Sequence, residues 1–348
     1  MAGAAYELAT GQGIADGEAV TLVTKKPAFK RELAPLPIRV AMSAVVYGFL
    51  TPLMRGLQVV GLEGAFLKRM GNRDRARGNP FQNYVADKHD VFVAVFFKSG
   101  TNWTMQIVHQ LLNHGKGEFD HIHSVVPWPD APPFLGKYAI PVEDPSVWMA
   151  SPEQKRAIKT HLSWDLLPYS EDARYVLVIR DPKDVIVSGY FFLRDVVFRS
   201  AMPSPAAWCQ NFLTGSGGMG SWAEHSVGYW AQRHRSNVLL LSFKSMQHDL
   251  NGTVAKIAKF LDVNVAEESL AEVCRKSSFG YMKQIDERFA PEGVHPWGRK
   301  VTMMRKGVHG GSSELLTKEQ QRAVDAHFIA ELKRLGSDLP YEEFCELA

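Results

Sequence analysis

The sequence "VFVAVFFKSGTNWTMQI", residues 91–107, decides the fold, because an apolar run passes directly into a polar loop and then into a helical pattern. Residues 91–97 are all apolar, which is typical of a strand that is buried on both faces. The residues from Thr101 to Asn113 have helical periodicity, and Gly115 stands just past their end. This order predicts one strand–loop–helix unit of an α/β sheet.

The alternation of strands and helices continues as far as residue 263. Further buried strands are predicted at 175–179 and 238–242. Helices are predicted to begin at Ser151, where "SPEQ" is typical of a capped start, at Pro182 behind the capping residue Asp181, and over 253–263. The pattern predicts an α/β fold with a central parallel sheet and helices on both faces.

The composition limits the class of protein. The 348 residues are 45% hydrophobic and 22% charged, which is ordinary for a globular chain with one large domain. The net charge of +3 is too small to indicate a nucleic-acid-binding protein, so an anion site must come from local clustering of basic groups. Three cysteines without metal-ligand spacing, and a start without a signal-peptide pattern, favour a cytoplasmic protein.

Residues 1–84 are predicted to form an N-terminal extension to the main domain at 85–348. The longest uncharged run of the extension, Val40 to Met54, is shorter than the roughly 20 residues of a spanning helix. Basic residues follow, as far as Arg77. We expect either apolar helices that pack on the main domain and cap a pocket, or peripheral membrane contact through residues 35–77, with basic residues on anionic headgroups.

The loop after the first strand is a candidate anion site. Ligands bind such sheets outside the carboxyl ends of the strands, where Lys98, Ser99, Gly100 and Thr101 lie. The N–H groups at the start of the following helix favour an anion. The residue order differs from the GxxxxGK[ST] loop, and no second strand supplies carboxylates for magnesium. We therefore expect a phosphate-bearing nucleotide, but not ATP held in the usual way. Trp103 is placed either to stack on its base or to belong to the core.

Two further basic segments are candidates for the same anion site. In "VIRDPKDVIVSGYFF", Arg180 ends a strand and Ser188 lies two helical turns further on. This arginine is suited either to a phosphate or to a salt bridge with Asp184. In "MMRKGVHGG", Arg305 and Lys306 precede glycine, which suits either an anion-binding loop or a solvated surface loop.

Taken together, "FFKSGTNW", "VIRDPKDVIVSGYFF" and "RKG" resemble the cytosolic-type sulfotransferases in their order and separation, over roughly residues 85–345. The resemblance implies a P-loop-like sulfotransferase fold, with residues 85–348 as the catalytic domain. It also implies transfer of a sulfuryl group from 3′-phosphoadenosine 5′-phosphosulfate to a hydroxyl group, with adenosine 3′,5′-bisphosphate as the product and no metal required.

The resemblance implies which residues hold this donor. The 98–103 loop would hold the 5′-phosphosulfate, a second basic set would hold the 3′-phosphate, and aromatic residues would hold the adenine. "KSSFGYM" (276–282) is similar to the adenine segment of the family. The donor-binding residues implied are Lys98, Ser99, Gly100, Thr101, Asn102, Trp103, Arg180, Ser188, Phe243, Ser277, Phe279, Arg305, Lys306 and Gly307.

The resemblance also implies the catalytic residues. His161, in "IKTHLSW" (158–164), would be the general base that removes the acceptor's hydroxyl proton. Lys98 would stabilise the charge that develops on the departing nucleotide, and Lys159 would hold the sulfuryl oxygens. Ser188 would hold Lys98 away until an acceptor is present. Sulfuryl transfer, by analogy with phosphoryl transfer, depends mainly on positioning and charge stabilisation.

Two segments depart from the family pattern. Phe243-Lys244-Ser245 stands where the family often has Tyr-Glu-Asp. This difference puts one of the family's contacts with the adenine in question. The dimer motif of the family is not matched at Ser313 and Thr317, so we leave the oligomeric state open.

The segment "SVVPWPDAPPFLGKY" (124–138) resembles the acceptor-side loop of the family, so it is predicted to contact the acceptor. Trp128, Phe134 and Tyr138 would form an aromatic pocket, or else they belong to the core. Such a pocket favours a lipophilic alcohol or phenol.

Two other functions are considered. A small-molecule kinase would need the GxxxxGK[ST] loop and magnesium carboxylates, and we find neither in the sequence. A non-catalytic nucleotide-binding or membrane-associated protein would not need both Lys98 and His161, and the chain has both.

Overall fold

The computed structural model describes residues 35–74, 78–131, 139–215, 220–290, 302–307 and 310–348. Within these ranges, four strands form one sheet in the order β2-β1-β3-β4, and every neighbouring pair is parallel. The strands are β1 (Asp90–Val95), β2 (Arg156–Thr160), β3 (Arg174–Ile179) and β4 (Val238–Ser242). The predicted α/β class with a central parallel sheet is confirmed.

The helices connect and cover these strands. In chain order they are α1 (Leu36–Val59), α2 (Glu63–Asp74), α3 (Thr101–Leu112), α4 (Ser146–Ala150), α5 (Pro182–Leu193), α6 (Pro205–Leu213), α7 (Trp222–Trp230), α8 (Phe243–His248), α9 (Leu250–Phe260), α10 (Glu267–Ser277), α11 (Phe279–Gln284), α12 (Lys318–Arg334) and α13 (Tyr341–Phe344). The middle of α1, Ala44–Leu50, is π-helical, and a π-helical turn, Arg194–Phe198, continues α5.

Both faces of the sheet are buried. Alternate residues of β1 point to opposite faces, so Val91, Val93 and Val95 pack with α3 and α9 in one core cluster. Phe92 and Ala94 pack on the other face, in a cluster that contains Tyr229 of α7. All six residues of β1 are buried, which explains why its sequence is apolar throughout.

The register of the strands brings the chemically important residues together. Ala94 of β1 lies opposite Thr160 of β2 and Leu177 of β3. The residues that follow these strands therefore meet at one edge of the sheet, as expected for a ligand site in a parallel α/β fold.

The prediction of a helix start at Ser151 is wrong. Helix α4 ends at Ala150, and the Ser151 hydroxyl donates a hydrogen bond to the Leu112 carbonyl instead of capping a helix. Strand β2 follows and was not predicted, because its sequence "RAIKT" contains two basic residues. The buried Arg156 is compensated by Asp90, with 3.1 Å between Nε and Oδ1.

The other helix predictions fit more closely. Helix α5 begins at Pro182, and the Asp181 side chain accepts a hydrogen bond from the Lys183 N–H, as its capping role requires. The helix predicted over 253–263 begins earlier, at Leu250, because Asp249 caps it through the N–H of Gly252.

The N-terminal helix α1 is longer than its uncharged run. It continues through Arg39 and Arg55 to a length of 24 residues, with a mean hydropathy of 1.4 over its most apolar window. Among the described helices it alone is long and apolar enough to cross a bilayer, judged by length and composition only. Only 6% of that window is buried, so most of α1 is exposed.

Candidate active site

The loop after β1 has a strained backbone that depends on glycine. Gly100 has φ +98° and caps the start of α3, and Lys98 is also left-handed with φ +62°. A Cβ atom at Gly100 would stand 2.7 Å from the Phe243 ring. Only glycine therefore fits this backbone conformation and this contact without a shift.

The start of α3 offers unpaired hydrogen-bond donors. No side chain caps this helix, and the first N–H groups of a helix have no intrahelical partner. The hydroxyl oxygens of Ser99 and Thr101 are buried and have no hydrogen-bond partner among the described residues. Buried polar groups are normally paired, so this set of donors fits an anionic ligand.

Arg180, which follows β3, holds the loop in place. Its Nη1 atom donates a 2.8 Å hydrogen bond to the Lys98 carbonyl, and its Nη2 atom lies 3.7 Å from the Asp184 carboxylate. The guanidinium also stacks 4.2 Å from the centre of the Phe243 ring. The expected salt bridge to Asp184 is therefore present. Arg180 also lines the site cavity, and its contact with a phosphate stays a prediction.

The second basic segment is paired with a carboxylate. Arg305 Nη1 lies 2.6 Å and Lys306 Nζ lies 3.0 Å from the same oxygen of Glu314. These bonds lower the pKa of Glu314, mainly through Arg305. The loop turns at Gly307, where φ is +65° and a side chain would collide with the Phe279 ring. The two cations are therefore held side by side at the edge of the cavity.

Aromatic residues form the wall between these two basic groups. The Trp103 indole donates a 2.8 Å hydrogen bond to the Ser277 carbonyl and meets Phe243 edge-on, with 5.8 Å between ring centres. Phe279 is 38% exposed. The Ser277 hydroxyl is buried without a hydrogen-bond partner in the described part of the chain. Flat rings beside an unpaired hydroxyl fit a nucleotide base.

His161 lies where β2 ends and has a defined tautomer. Its Nδ1 atom is 2.7 Å from the Val95 carbonyl oxygen, which can only accept a hydrogen bond. The proton is therefore on Nδ1, and Nε2 is the ring nitrogen with a free lone pair. Burial, together with the charge of Lys159, lowers the pKa of His161 to about 3, so the imidazole is neutral at physiological pH.

Two ionisable residues, Lys159 and Asp130, lie close to His161. Lys159 Nζ lies 3.2 Å from the centre of the Trp128 ring and 3.5 Å from Nε2 of His123. Asp130 accepts a 2.8 Å hydrogen bond from the backbone N–H of His161. Burial raises the pKa of Asp130 to about 6. Lys159 therefore has an aromatic and an imidazole neighbour, and Asp130 fixes the backbone position of His161.

Lys98 has an unusually low basicity. Its Nζ atom lies 4.2 Å from the centre of the Phe192 ring. Burial, with the nearby charge of Arg180, lowers its pKa to about 7. An anionic ligand in the loop would favour the protonated form.

Lys98, Lys159, His161, Arg180 and Arg305 all line one cavity of about 1090 Å³. One part of its lining is basic and aromatic, as described above. The other part is largely apolar and includes Phe97, Trp128, Phe192, Val196, Phe198 and Trp208. His161 contacts this apolar part, since its ring meets the rings of Trp128 and Phe97 edge-on.

Most residues predicted for the site line this cavity. Ser99 and Ser277 do not, because they are buried behind it. Ser188 lines the cavity. Phe134 and Tyr138, predicted for the acceptor pocket, lie outside the described residues.

Several lining residues were not predicted from the sequence. They are His123, Asp130, Phe192, Asn211, His225, Gln247, Met303 and Met304. Asp130 lies within the quoted acceptor-side stretch, so its polar character was a usable signal. Asn211, on α6, had no signal, and its amide oxygen is buried without a hydrogen-bond partner among the described residues.

The comparisons with known proteins show which family the chain is similar to. A family model described as "Sulfotransferase domain" matches residues 88–336. The chain is 32% identical to sulfotransferase 2A1 of Macaca fascicularis over 289 residues, which cover 81% of this chain and 96% of the relative. It is 30% identical to sulfotransferase 2A1 of Homo sapiens over 286 residues, with the same coverage.

Two solved structures share the fold. Mouse sulfotransferase SULT7A1 complexed with PAP matches with a TM-score of 0.59 and 24% identity, over 76% of this chain and 92% of that chain. Retinol dehydratase in complex with androsterone and inactive cofactor PAP matches with a TM-score of 0.61 and 23% identity, over 79% of this chain and 88% of that chain.

Proposed function

The chain belongs to the cytosolic-type sulfotransferase family, and we propose that it transfers the sulfuryl group of 3′-phosphoadenosine 5′-phosphosulfate to a hydroxyl group of a small lipophilic acceptor. The observation that carries this proposal is the single cavity. One part of its lining is basic and aromatic and suits a nucleotide, and the other part is apolar. His161 and Lys98 contact aromatic residues of the apolar part.

The residues present fit a donor with two separate anionic groups. The N–H groups at the start of α3, with Lys98 and the unpaired hydroxyl of Thr101, would hold the 5′-phosphosulfate. Arg305 and Lys306 would hold the 3′-phosphate after exchanging Glu314 for it. The remaining residues implied by the family would complete this site. When bound, the donor supplies a sulfuryl group that is attached to its 5′-phosphate, and this phosphate is the leaving group.

His161 is proposed as the general base. Its Nε2 atom would accept the hydroxyl proton while the acceptor oxygen forms a bond to sulfur and the bond from sulfur to the bridging phosphate oxygen breaks. The hydrogen bond to Val95 keeps Nε2 unprotonated and correctly turned. The negative charge of a bound donor would offset the effect of Lys159 and raise the pKa of His161 toward its usual value.

Two lysines are proposed to stabilise the charge that moves during transfer. Protonated Lys98 would stabilise the departing phosphate oxygen, and Lys159 would stabilise the sulfuryl oxygens. Ser188 would position Lys98. Because Lys159 is 6% exposed and Lys98 is packed on Phe192, both charges would act in a site from which water is largely excluded.

The acceptor class follows from the lining of the cavity. Its aromatic and aliphatic side chains favour a lipophilic alcohol or phenol. A relative named 3-alpha-hydroxysteroid sulfotransferase, from Cavia porcellus, is 31% identical over 248 residues. The retinol dehydratase structure holds androsterone. These names support a hydroxyl compound of similar polarity as the acceptor of this chain.

We also propose peripheral membrane contact at the cytoplasmic side, through the described part of residues 35–77. The exposed apolar helix α1 supports this contact.

The reaction is tested with purified protein, radiolabelled donor and a panel of phenols, alkanols and sterols. We expect labelled sulfate esters from lipophilic hydroxyl compounds and none from sugars. Label transfer from γ-labelled ATP with magnesium, and none from the sulfated donor, would overturn the proposal in favour of a kinase.

A further inference from the structure

Helix α1 has an inward and an outward side. Val46 and Met54 face the main domain and are 7% and 2% exposed. The outward side carries a stripe of apolar residues at helical spacing, and all of them are well exposed: Ile38, Met42, Val45, Phe49 and Leu53. An uninterrupted exposed apolar stripe of this length is unusual for a surface that faces water.

The charges around the stripe suit an anionic lipid surface. Residues 35–74 contain five basic residues and two acidic ones. One of the acidic residues, Glu63, is hydrogen-bonded to the Ser204 N–H at 3.0 Å and so faces the domain. Lys68 and Arg69 are exposed on α2, the helix that follows α1. Basic residues beside an apolar helix face are typical of a helix that lies on a membrane.

The contacts of α1 favour an orientation in the plane of the bilayer. The Thr51 hydroxyl is 2.7 Å from the Ser200 hydroxyl, and buried Met54 lies one turn further along the same side. A helix that crosses the bilayer would be surrounded by lipid, whereas the second half of α1, from Val46 to Met54, has one side on protein. The outward stripe is therefore the part available to lipid.

The same contacts link α1 to the acceptor part of the cavity. Leu67, which follows α1 on helix α2, lines the cavity. Val196 and Phe198 also line it, and Ser200, two residues later, contacts Thr51 of α1. Between them Arg199 has a left-handed backbone with φ +51°, which is strained for a residue other than glycine. One short segment thus contacts both the proposed lipid-binding helix and the acceptor cavity.

We infer that α1 lies in the plane of the bilayer with this stripe in the lipid, and that the acceptor enters the cavity from that layer, past Leu67 and Val196. The occupant of the stripe is thus a lipid surface with anionic headgroups, and the acceptor is a membrane-resident amphiphile. The acceptor part of this inference rests on the proposed function, whereas the lipid contact does not.

The test uses the full chain and the double variant Val45→Asp/Phe49→Asp. Flotation with phosphatidylcholine vesicles, with and without phosphatidylglycerol, measures lipid binding without any acceptor. Turnover is then compared for 4-ethylphenol and 4-nonylphenol, which have the same reacting group but differ in partitioning into lipid. The matched control is Ile329→Asp, which places a charge at an exposed apolar residue of α12, away from the stripe.

The parent and the control should float with the vesicles, and more strongly when phosphatidylglycerol is present. The double variant should lose flotation at least tenfold, keep its affinity for adenosine 3′,5′-bisphosphate and keep its rate with 4-ethylphenol. Vesicles should raise the rate with 4-nonylphenol for the parent but not for the double variant.

Equal flotation of the double variant and the parent would overturn the lipid contact. A parent that sediments as a dimer, does not float and becomes a monomer in the variant would assign the stripe to a second copy of the chain. Flotation without any effect of vesicles on 4-nonylphenol would overturn access from the lipid. No turnover of either phenol, with flotation intact, would contradict the proposed acceptor class and leave the lipid contact standing.

Discussion

His161 Nδ1 lies 2.7 Å from the carbonyl oxygen of Val95, so the two neighbouring strands β2 and β1 together set the tautomer of the proposed base. The parallel register places Val95 beside the residue that follows Thr160, and the hydrogen bond therefore follows directly from the sheet. The orientation of this imidazole does not depend on a bound ligand.

Replacement of His161 should abolish turnover and leave donor binding intact. We expect His161→Ala and His161→Gln to lower kcat by about 100- to 10,000-fold, the usual contribution of a general base. The KM for the donor should change little, because the basic residues of the donor site are unchanged. Steady-state kinetics and donor titration check this together. A rate within twofold of the parent in either variant would exclude His161 as the base.

The pH dependence of kcat/KM should have an alkaline limb near pH 7 from Lys98. The pKa of Lys98 is lowered to about 7, mainly by burial, and only its protonated form attracts the anionic donor. Raising the pH above 7 removes this charge, so kcat/KM should fall about tenfold per pH unit. In kcat/KM for the donor, which reports the free enzyme, no acid limb near 6.5 is expected from His161, because its pKa before the donor binds is lowered to about 3.

The control for this limb is Lys98→Arg, since arginine stays charged throughout the range. In that variant the limb should disappear, whatever the absolute rate. A limb of the same position and slope in Lys98→Arg would assign it to another group.

Glu314→Gln should strengthen the binding of adenosine 3′,5′-bisphosphate. In the described structure Glu314 pairs with Arg305 and Lys306, so a phosphate must displace it. Removing the competing carboxylate from a partly exposed site should improve the affinity by about 0.5–1 kcal/mol, or two- to fivefold. Calorimetric titration measures this. Glu331→Gln is the control, because Glu331 pairs with Arg334 within α12. Weaker binding in Glu314→Gln alone would mean that Glu314 positions the two cations.

Gly100→Ala should destabilise the protein and weaken donor binding. An alanine at φ +98° costs about 1–2 kcal/mol, and its Cβ would also displace the Phe243 ring. Urea denaturation and bisphosphate titration check the two effects. Gly280→Ala serves as the control, because a Cβ atom at Gly280 would have no neighbouring atom within 4 Å and its backbone is not left-handed. Unchanged donor affinity in Gly100→Ala would contradict the role given to the loop.

Strands β1, β3 and β4 and the loop after β1 could be predicted from the sequence, because these strands are rich in apolar residues. The run at 91–97 and the capping pair Asp181-Pro182 are local signals, and the structure shows β1 and α5 there. Strand β2 could not be predicted, because the buried Arg156 is neutralised by Asp90, which lies 66 residues earlier in the chain. A pattern of apolar residues does not reveal a charge pair of this kind.

The surroundings of the proposed base depend equally on long-range contacts. Neither the bond from His161 to Val95 nor the packing of Lys159 on Trp128 has a signature in the local sequence. The uncharged run from Val40 to Met54 is shorter than α1, because the helix continues through Arg39 and Arg55. The motifs predict the residues of the candidate site, and the structure adds how these residues contact each other.

The central claim is that the cavity binds a nucleotide with a phosphate at the 3′ position. Calorimetric titration with adenosine 3′,5′-bisphosphate, against ATP with magnesium, tests it most directly. We expect tight binding of the bisphosphate, weakened at least tenfold when both Arg305 and Lys306 are changed to alanine, and weak binding of ATP with magnesium. A preference for ATP with magnesium, or no binding of either nucleotide by the folded protein, would contradict it.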